Sequence, residues 1–338
     1  VVVAVGSRRY GLIVDEIAET EEIVIKPLHG ELRRLSCYAG ATVLGDGGVA
    51  LIIEVSGVAE MAGIDVSARD SLELDQESVG EGVTSEPYML CMAGGQQCAV
   101  PLGMIARLER VFSLYRDDSA LMRLNRTGGL QAPPPELLEV LTLADALHAA
   151  SGGAFDPSVQ PLWQALATGG DAEAARAAVG WDGVRFDAGG VRLLRPGMAL
   201  TLNGIAQGYI TDRIAALLRA QGLRDVLVDI GEVVALGRKP DGTPWQAGIA
   251  TPARDIVHLV TLRDRALATS APMGTVLGDG QGHILDPRGH GPRNTLVSVS
   301  APRAALADGL STALCLLGRD AVEKAISRFD GAAVEYIA

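Results

Sequence analysis

The apolar positions along this chain keep two different periods. Up to about residue 102 they alternate and are cut by glycine turns, which predicts short strands. VVVAV, RRYGLIVDEI, EEIVIKPL, ATVLGDGGVALIIEV and YMLCMAGGQQCAVPL each read this way, with hairpin turns at Gly6-Ser7, Asp46-Gly47-Gly48 and Gly94-Gly95. Between them, residues 62–87 are polar and acidic and read as a linker. From residue 104 the period lengthens. PPELLEVLTLADALHAASGG repeats its apolar residues near every 3.6 and stops at glycines, as a helix does. DAEAARAAVG predicts a short helix, ITDRIAALLRAQGL an amphipathic one ending at Gly222, and RAALADGLSTALCLLGRDAVEKAISRF two closing helices. GVRFDAGGVRLLRPGMALTL predicts strands, and DVLVDIGEVVALG a buried strand and turn. The second region is therefore mixed α/β, and the first all-β.

Composition narrows the class. The chain has 338 residues, 48% hydrophobic and 21% charged, which suits two or three globular domains. No run of 18 apolar residues predicts a membrane span. The net charge is −12, and it is unevenly placed. Residues 1–110 hold 8 basic and 17 acidic side chains, the remainder 21 and 24. Neither region has the basic face that nucleic-acid binding requires. The nearly balanced second region suits a small anionic ligand better. The cysteines (Cys37, Cys91, Cys98 and Cys315) form no Cys-x-x-Cys pair, so a structural zinc site is not expected.

Candidate chemistry is confined to the second region. Asn203-Gly204-Ile205-Ala206-Gln207-Gly208 puts two glycines and two side-chain amides at the mouth of a helix. Free amides and the positive helix end make such a place an anion seat, or else a tight strand-to-helix turn. Asp308 and Thr312 lie four apart on an Ala-rich helix, hence on one face, and oxygen ligands of that kind suit Mg²⁺. A solvent-facing pair is the alternative. His283, in His283-Ile284-Leu285-Asp286-Pro287-Arg288, is a candidate general base for a hydroxyl, or a packing histidine. Tyr115, in FSLYRDDS, is a candidate for stacking on a heterocycle. Ser151-Gly152-Gly153-Ala154-Phe155-Asp156-Pro157 reads first as a loop.

In this order and spacing these segments resemble the FAD:protein FMN transferases, the ApbE family. FSLYRDDSALMRLN, SGGAFDPSVQPLW, RPGMALTLNGIAQGYITDRIAALLRAQGL, VDIGEVVALG, RALATS, HILDPRG and ALADGLSTALCLLG carry the likeness, from about residue 106 to 338. The resemblance implies an α/β (α+β) transferase domain that takes FAD and Mg²⁺, breaks the pyrophosphate, and attaches FMN to a Thr or Ser hydroxyl of an acceptor protein, with AMP leaving. It places Tyr115, Ala154, Phe155, Asp156, Thr201, Gln207 and Ile284 against the flavin nucleotide. Gly204, Asp308 and Thr312 fall on the metal positions, and His283 stands near the acceptor hydroxyl. The chain departs from the family in carrying Thr201 and Gln207 where many members have Asp and Lys. It also lacks the Met-Gly-Thr-like strand that normally precedes Phe112. Inactive FAD binding, a chemotaxis-type scaffold and FAD pyrophosphate hydrolysis are the alternatives.

Residues 1–61 resemble the CheW-like regulatory domain of chemotaxis histidine kinases, through RRYGLIVDEI, EEIVIKPLHGELRRL and AGATVLGDGGVALIIEV. Residues 88–105 look like the opening of a second copy. This implies a partial SH3-like barrel and a chemotaxis-type partner, without the kinase's phosphorylatable helix or ATP-binding glycine box. The two likenesses meet in GMIARLERVFSLYR, which suggests an in-frame fusion and the loss of one or two sheet strands. No export signal is visible, so the chain reads as cytoplasmic, whereas the transferase family usually acts outside the cytoplasmic membrane.

Overall fold

The computed structural model describes residues 2–5, 8–11, 38–43, 49–53, 88–93 and 96–338 except 221 and 279, with side chains from residue 104 onward. The chain divides into two units, Val1–Gly103 and Met104–Ala338.

In the first unit six strands pair as antiparallel hairpins. β1 (Val2–Val5) pairs with β2 (Arg8–Gly11), β3 (Tyr38–Val43) with β4 (Val49–Ile53), and β5 (Tyr88–Ala93) with β6 (Gln96–Pro101). Among the described residues each hairpin is its own two-stranded sheet, so the expected barrel is not seen. The strand expected at EEIVIKPL and the linker 62–87 lie outside the described residues.

Helix α1 (Leu102–Phe112) leads into the second unit. Ser119 caps α2 (Ala120–Thr127) by accepting the Met122 amide at 3.0 Å. Strand β7 (Gly129–Gln131) follows, then α3 (Pro135–Ala150). Pro135 suits the first helical position, and Leu137, Val140, Leu141, Ala144 and Leu147 form the buried stripe that the period predicts. Two short helices, α4 (Gln160–Thr168) and α5 (Ala172–Arg176), precede β8 (Val184–Asp187) and β9 (Gly190–Leu193), which form a small sheet in the order β7-β9-β8.

MALTL, residues 198–202, is not a strand. The amide side chain of Asn125 takes the place of a neighbouring strand. It donates to the Leu200 carbonyl and accepts from the Leu200 amide, both at 2.8 Å. The backbone is satisfied without a ladder.

Helix α6 (Ala206–Ala220) ends where Leu223 N–H reaches the Leu218 carbonyl and Gly222 turns at φ +89°. The main sheet then runs β10 (Val226–Asp229), β11 (Val233–Leu236), β14 (Arg265–Ser270), β15 (Val297–Ala301) and β16 (Ala333–Ile337) in that spatial order. The pairing is antiparallel throughout, so the domain is α+β in the strict sense. A separate hairpin, β12 (Trp245–Ala250) with β13 (Ile256–Leu262), has no counterpart in the sequence reading. Helix α7 (Ala304–Leu314) packs on β14 and β15, and α8 (Arg319–Ile326) follows it. The chain closes with a strand rather than with the two helices.

Ten of the eleven residues of α7 are buried, which makes it the central element of the core. Its alanines and Gly309 leave room for α3 and α6 to approach closely. No described helix is long and apolar enough to cross a membrane.

Candidate functional site

Three loops and one helix meet around α7. The first loop, Ser151–Pro157, follows α3. Ala154, Phe155 and Asp156 are all buried. Asp156 holds its own loop: Oδ1 accepts from the Ser158 amide at 2.8 Å and the Ser158 hydroxyl at 2.6 Å, and Oδ2 accepts the Trp181 amide at 3.2 Å. The second loop is Thr201–Ile205. Thr201 N–H donates to the Pro157 carbonyl at 2.8 Å, which fastens the two loops together.

Gly204 lies directly against α7. A Cβ placed on it would sit 3.0 Å from both Oγ1 and Cγ2 of Thr312. Gly208, in the first turn of α6, lies closer still to the start of α7. A Cβ there would come within 2.4 Å of the Ala304 carbonyl oxygen, so only glycine fits. Its amide donates to Oδ2 of Asp308 at 3.0 Å. Asp308 is only 5% exposed, and a carboxylate in that position needs such a donor.

This overturns the expectation at Gly208. Three amides at the mouth of α6 are already taken. The Ile205 and Ala206 amides are both held by the Leu202 carbonyl, at 3.0 and 2.8 Å, and the Gly208 amide is held by Asp308. A phosphate has no access to these three donors. The glycines serve close packing against α7 instead.

Gln207 points toward β10. Its Nε2 donates to the Ile230 carbonyl at 3.2 Å, and it fills the space where a side chain on Gly231 (φ +104°) would be. Ser270, at the end of β14, faces α7. Its hydroxyl lies 2.8 Å from Ser311 Oγ and 3.3 Å from Thr312 Oγ1. The sequence RALATS assigns no role to Ser270. A hydroxyl two residues before Pro272 carried no signal of its own.

The third loop carries the histidine. Pro272–Gly274 forms one helical turn, and the bridge between Val276 and Gly282 turns the chain back to His283. His283 Nδ1 lies 3.0 Å from the Pro272 carbonyl and 3.3 Å from that of Thr275. The Thr275 amide also points at Nδ1, at 3.3 Å, so two carbonyls and one N–H donor meet that nitrogen and the contacts fit either tautomer. Ile284, next along, is buried in the same core cluster as Ala154 and Phe155. Asp286 is buried, and Arg288 grips it with Nε at 2.8 Å and Nη2 at 2.7 Å. Burial pushes the Asp286 carboxyl up. The Arg288 guanidinium and amide outweigh that and hold it below the usual carboxylate range.

The structure thus brings Ala154–Asp156, Thr201, Gly204, Asp308 and Thr312 together, with His283 joined to them through Ser270–Pro272. Tyr115 stands apart. It is 88% exposed, and its ring has no hydrogen-bonding or stacking partner among the described residues. The exposed ring remains open to a planar ligand.

A Mg²⁺ seat fits these residues. Their donors are a carboxylate, a hydroxyl and backbone oxygen, all hard. Among the described residues no trio of His, Cys, Asp or Glu is gathered, so the softer ligand sets are not assembled.

Comparison with known proteins gives the family. The model of the ApbE family matches residues 98–336, and that of the CheW-like domain residues 1–62. FAD:protein FMN transferases from Treponema pallidum and Klebsiella pneumoniae are 32% and 29% identical to the chain, each over 68% of it and 73% of the relative. The flavin transferase ApbE of Vibrio cholerae superposes with a TM-score of 0.60 at 25% identity, over 75% of this chain and 97% of that one. The apo form of the Pseudomonas stutzeri flavinyl transferase ApbE gives 0.57 at 31% identity, over 67% and 76%. With a match that spans most of its length and loops gathered on one buried helix, the chain belongs to the ApbE family.

Proposed function

We propose that the chain transfers FMN from FAD to a Thr or Ser hydroxyl of an acceptor protein and releases AMP. The observation that carries this reading is the meeting of Gly204 and Gly208 with Thr312 and Asp308, across about a hundred residues of sequence. In-line phosphoryl transfer needs positioned groups and charge stabilisation more than covalent help. The site offers both.

His283 takes the acceptor's proton at Nε2, the ring being held by the Pro272 carbonyl. The acceptor oxygen bonds to the phosphorus of the FMN half. The bridging P–O bond of the diphosphate breaks, and AMP leaves with the bonding electrons. The seat for Mg²⁺ is Asp308, Thr312 and the backbone at Gly204; when bound, the ion supplies charge neutralisation at the diphosphate. Ala154, Phe155 and Ile284 give the flavin an apolar wall, with Thr201 and Gln207 at its polar end and Tyr115 as the exposed ring that folds onto it. The neutral Thr201 and Gln207 hold FAD by hydrogen bonds rather than by charge. The CheW-like residues 1–62 serve a chemotaxis-type partner.

The test is incubation of the full chain with FAD, Mg²⁺ and acceptor protein, with AMP and protein-bound flavin fluorescence both followed. Metal-dependent AMP with flavin on the acceptor, both lost in Asp308→Ala, is the expected result. AMP and free FMN without labelled protein would identify a hydrolase. Flavin binding without AMP would identify a binding protein.

A further inference from the structure

Helices α6 and α7 exchange carboxylates for amides. Asp308 of α7 accepts the Gly208 amide of α6 at 3.0 Å. In return Asp212 of α6 accepts the first two amides of α7. Its Oδ1 lies 2.7 Å from Ala304 N, and its Oδ2 3.0 Å from Ala305 N. Both oxygens are thus fixed at one helix end. Arg303, the residue at the cap position of α7, makes no side-chain capping bond, so Asp212 is the cap from another helix.

This cap is costly to build. Burial pushes the Asp212 carboxyl above its usual range, and the Ala305 and Ala304 amides only partly pull it back. A serine or aspartate at position 303 would cap α7 locally and without that burial. What a local cap does not do is tie α7 to α6. Asp308 and Thr312 stand one and two turns beyond the capped end, and Gly204 leads into the start of α6 two residues later. A clamp at Asp212 therefore fixes the register between the helix bearing two of the metal positions and the loop bearing the third.

We propose that Asp212 is a positioning residue for the metal seat, setting α7 against α6 so that Asp308, Thr312 and Gly204 converge. The proposal rests on the reading of that seat as a divalent-cation site. Outer partners that orient metal ligands typically matter by about 10- to 100-fold in affinity.

The probe is Mn²⁺ alone, titrated into the full chain and followed by the electron paramagnetic resonance of the free ion. Asp212→Asn keeps the shape and one acceptor oxygen but turns an N–H₂ toward an amide. It is expected to raise the Mn²⁺ half-saturation about tenfold, while turnover with FAD at saturating metal recovers to within about threefold of the parent. Ala304→Pro removes one of the two amides and leaves Asp212 untouched. Proline suits that first helical position, and the expected rise there is smaller, about threefold. Tyr209→Phe is the control for loosening α6 in general, since Tyr209 donates to Glu139 of α3 at 2.6 Å, a bond in which α7 has no part. It should lower the melting temperature and leave Mn²⁺ binding unchanged.

Unchanged Mn²⁺ binding in Asp212→Asn and Ala304→Pro, with lowered melting temperatures, would make Asp212 a plain structural cap and overturn the proposal. Equal weakening in Tyr209→Phe would overturn it as well. Absence of Mn²⁺ binding in the parent chain would instead strike the metal reading itself, and the two failures are thereby told apart.

Discussion

The two halves of the site are built in opposite ways. The half proposed to seat the metal lies at the contact of α6 and α7, buried, with Gly208 and Asp308 joined across 100 residues and Asp212 and Ala304 across 92. The histidine half is local. His283 is held by carbonyls 8 and 11 residues away, on a turn whose Met273 and Val276 are exposed. A group held from afar belongs to the fold, and its loss is felt in stability as well as chemistry. A group held by its own turn can be lost with the fold intact.

Substitution separates the two. His283→Gln should lower FAD-dependent AMP release by about 10²- to 10⁴-fold, the usual range for a general base. Its urea midpoint should stay near the parent's. A large loss of stability would show that the histidine half is not local after all.

Arg288→Met comes next and tests the border between the halves. It leaves the Asp286 carboxylate buried without its guanidinium, a change of about 3 kcal/mol at neutral pH. The sign with pH follows from the depressed native value. In the parent, the stabilisation from Asp286 is present above the unfolded carboxylate range and is lost as pH falls through the lower folded value. In the variant burial dominates, the folded value rises, and acid relieves the strain. The stability gap between the two should therefore narrow from pH 6 to pH 3 in urea unfolding; a constant gap would contradict the assignment.

Gly208→Ala strikes the metal half through packing. The added methyl meets the Ala304 carbonyl at 2.4 Å, and overpacking of this kind costs about 1–3 kcal/mol. Calorimetry should show the lower melting temperature together with a higher Mg²⁺ requirement for AMP release. If only the melting temperature moves, the α6–α7 contact does not govern the seat.

Tyr115→Ala is the smallest. The side chain is exposed, so stability should change by no more than about 0.5 kcal/mol. The half-saturating FAD concentration should rise severalfold if the ring closes on the nucleotide.

Much of this was legible from local pattern. The buried stripe of α3, the helix from ITDRIAALLRAQGL and the four-residue spacing of Asp308 and Thr312 depend only on helical geometry, which a short window of sequence carries. The error at MALTL has an equally physical source. Its alternation matches a strand, but the place of the neighbouring strand is taken by Asn125, 75 residues earlier. The anion seat at Gly208 failed for the same reason. Amides at a helix mouth look free until the carboxylate that takes them is known. Asp212 was invisible as a cap, since nothing within α6 shows what it reaches.

By itself, then, the sequence determined hairpins of the front such as those at Val49–Ile53 and Tyr88–Ala93, the mixed second region with most of its helices, the motifs that mark the ApbE family and the residue types that suit a cation and a proton acceptor. Those follow from period, turn chemistry and donor chemistry, which are local. Tertiary structure alone decided which amides are spent, which carboxylates cap a partner helix, and that Ser270 faces Thr312. Each of those depends on a buried polar group finding its partner, and that partner lies wherever the fold brings the chain back.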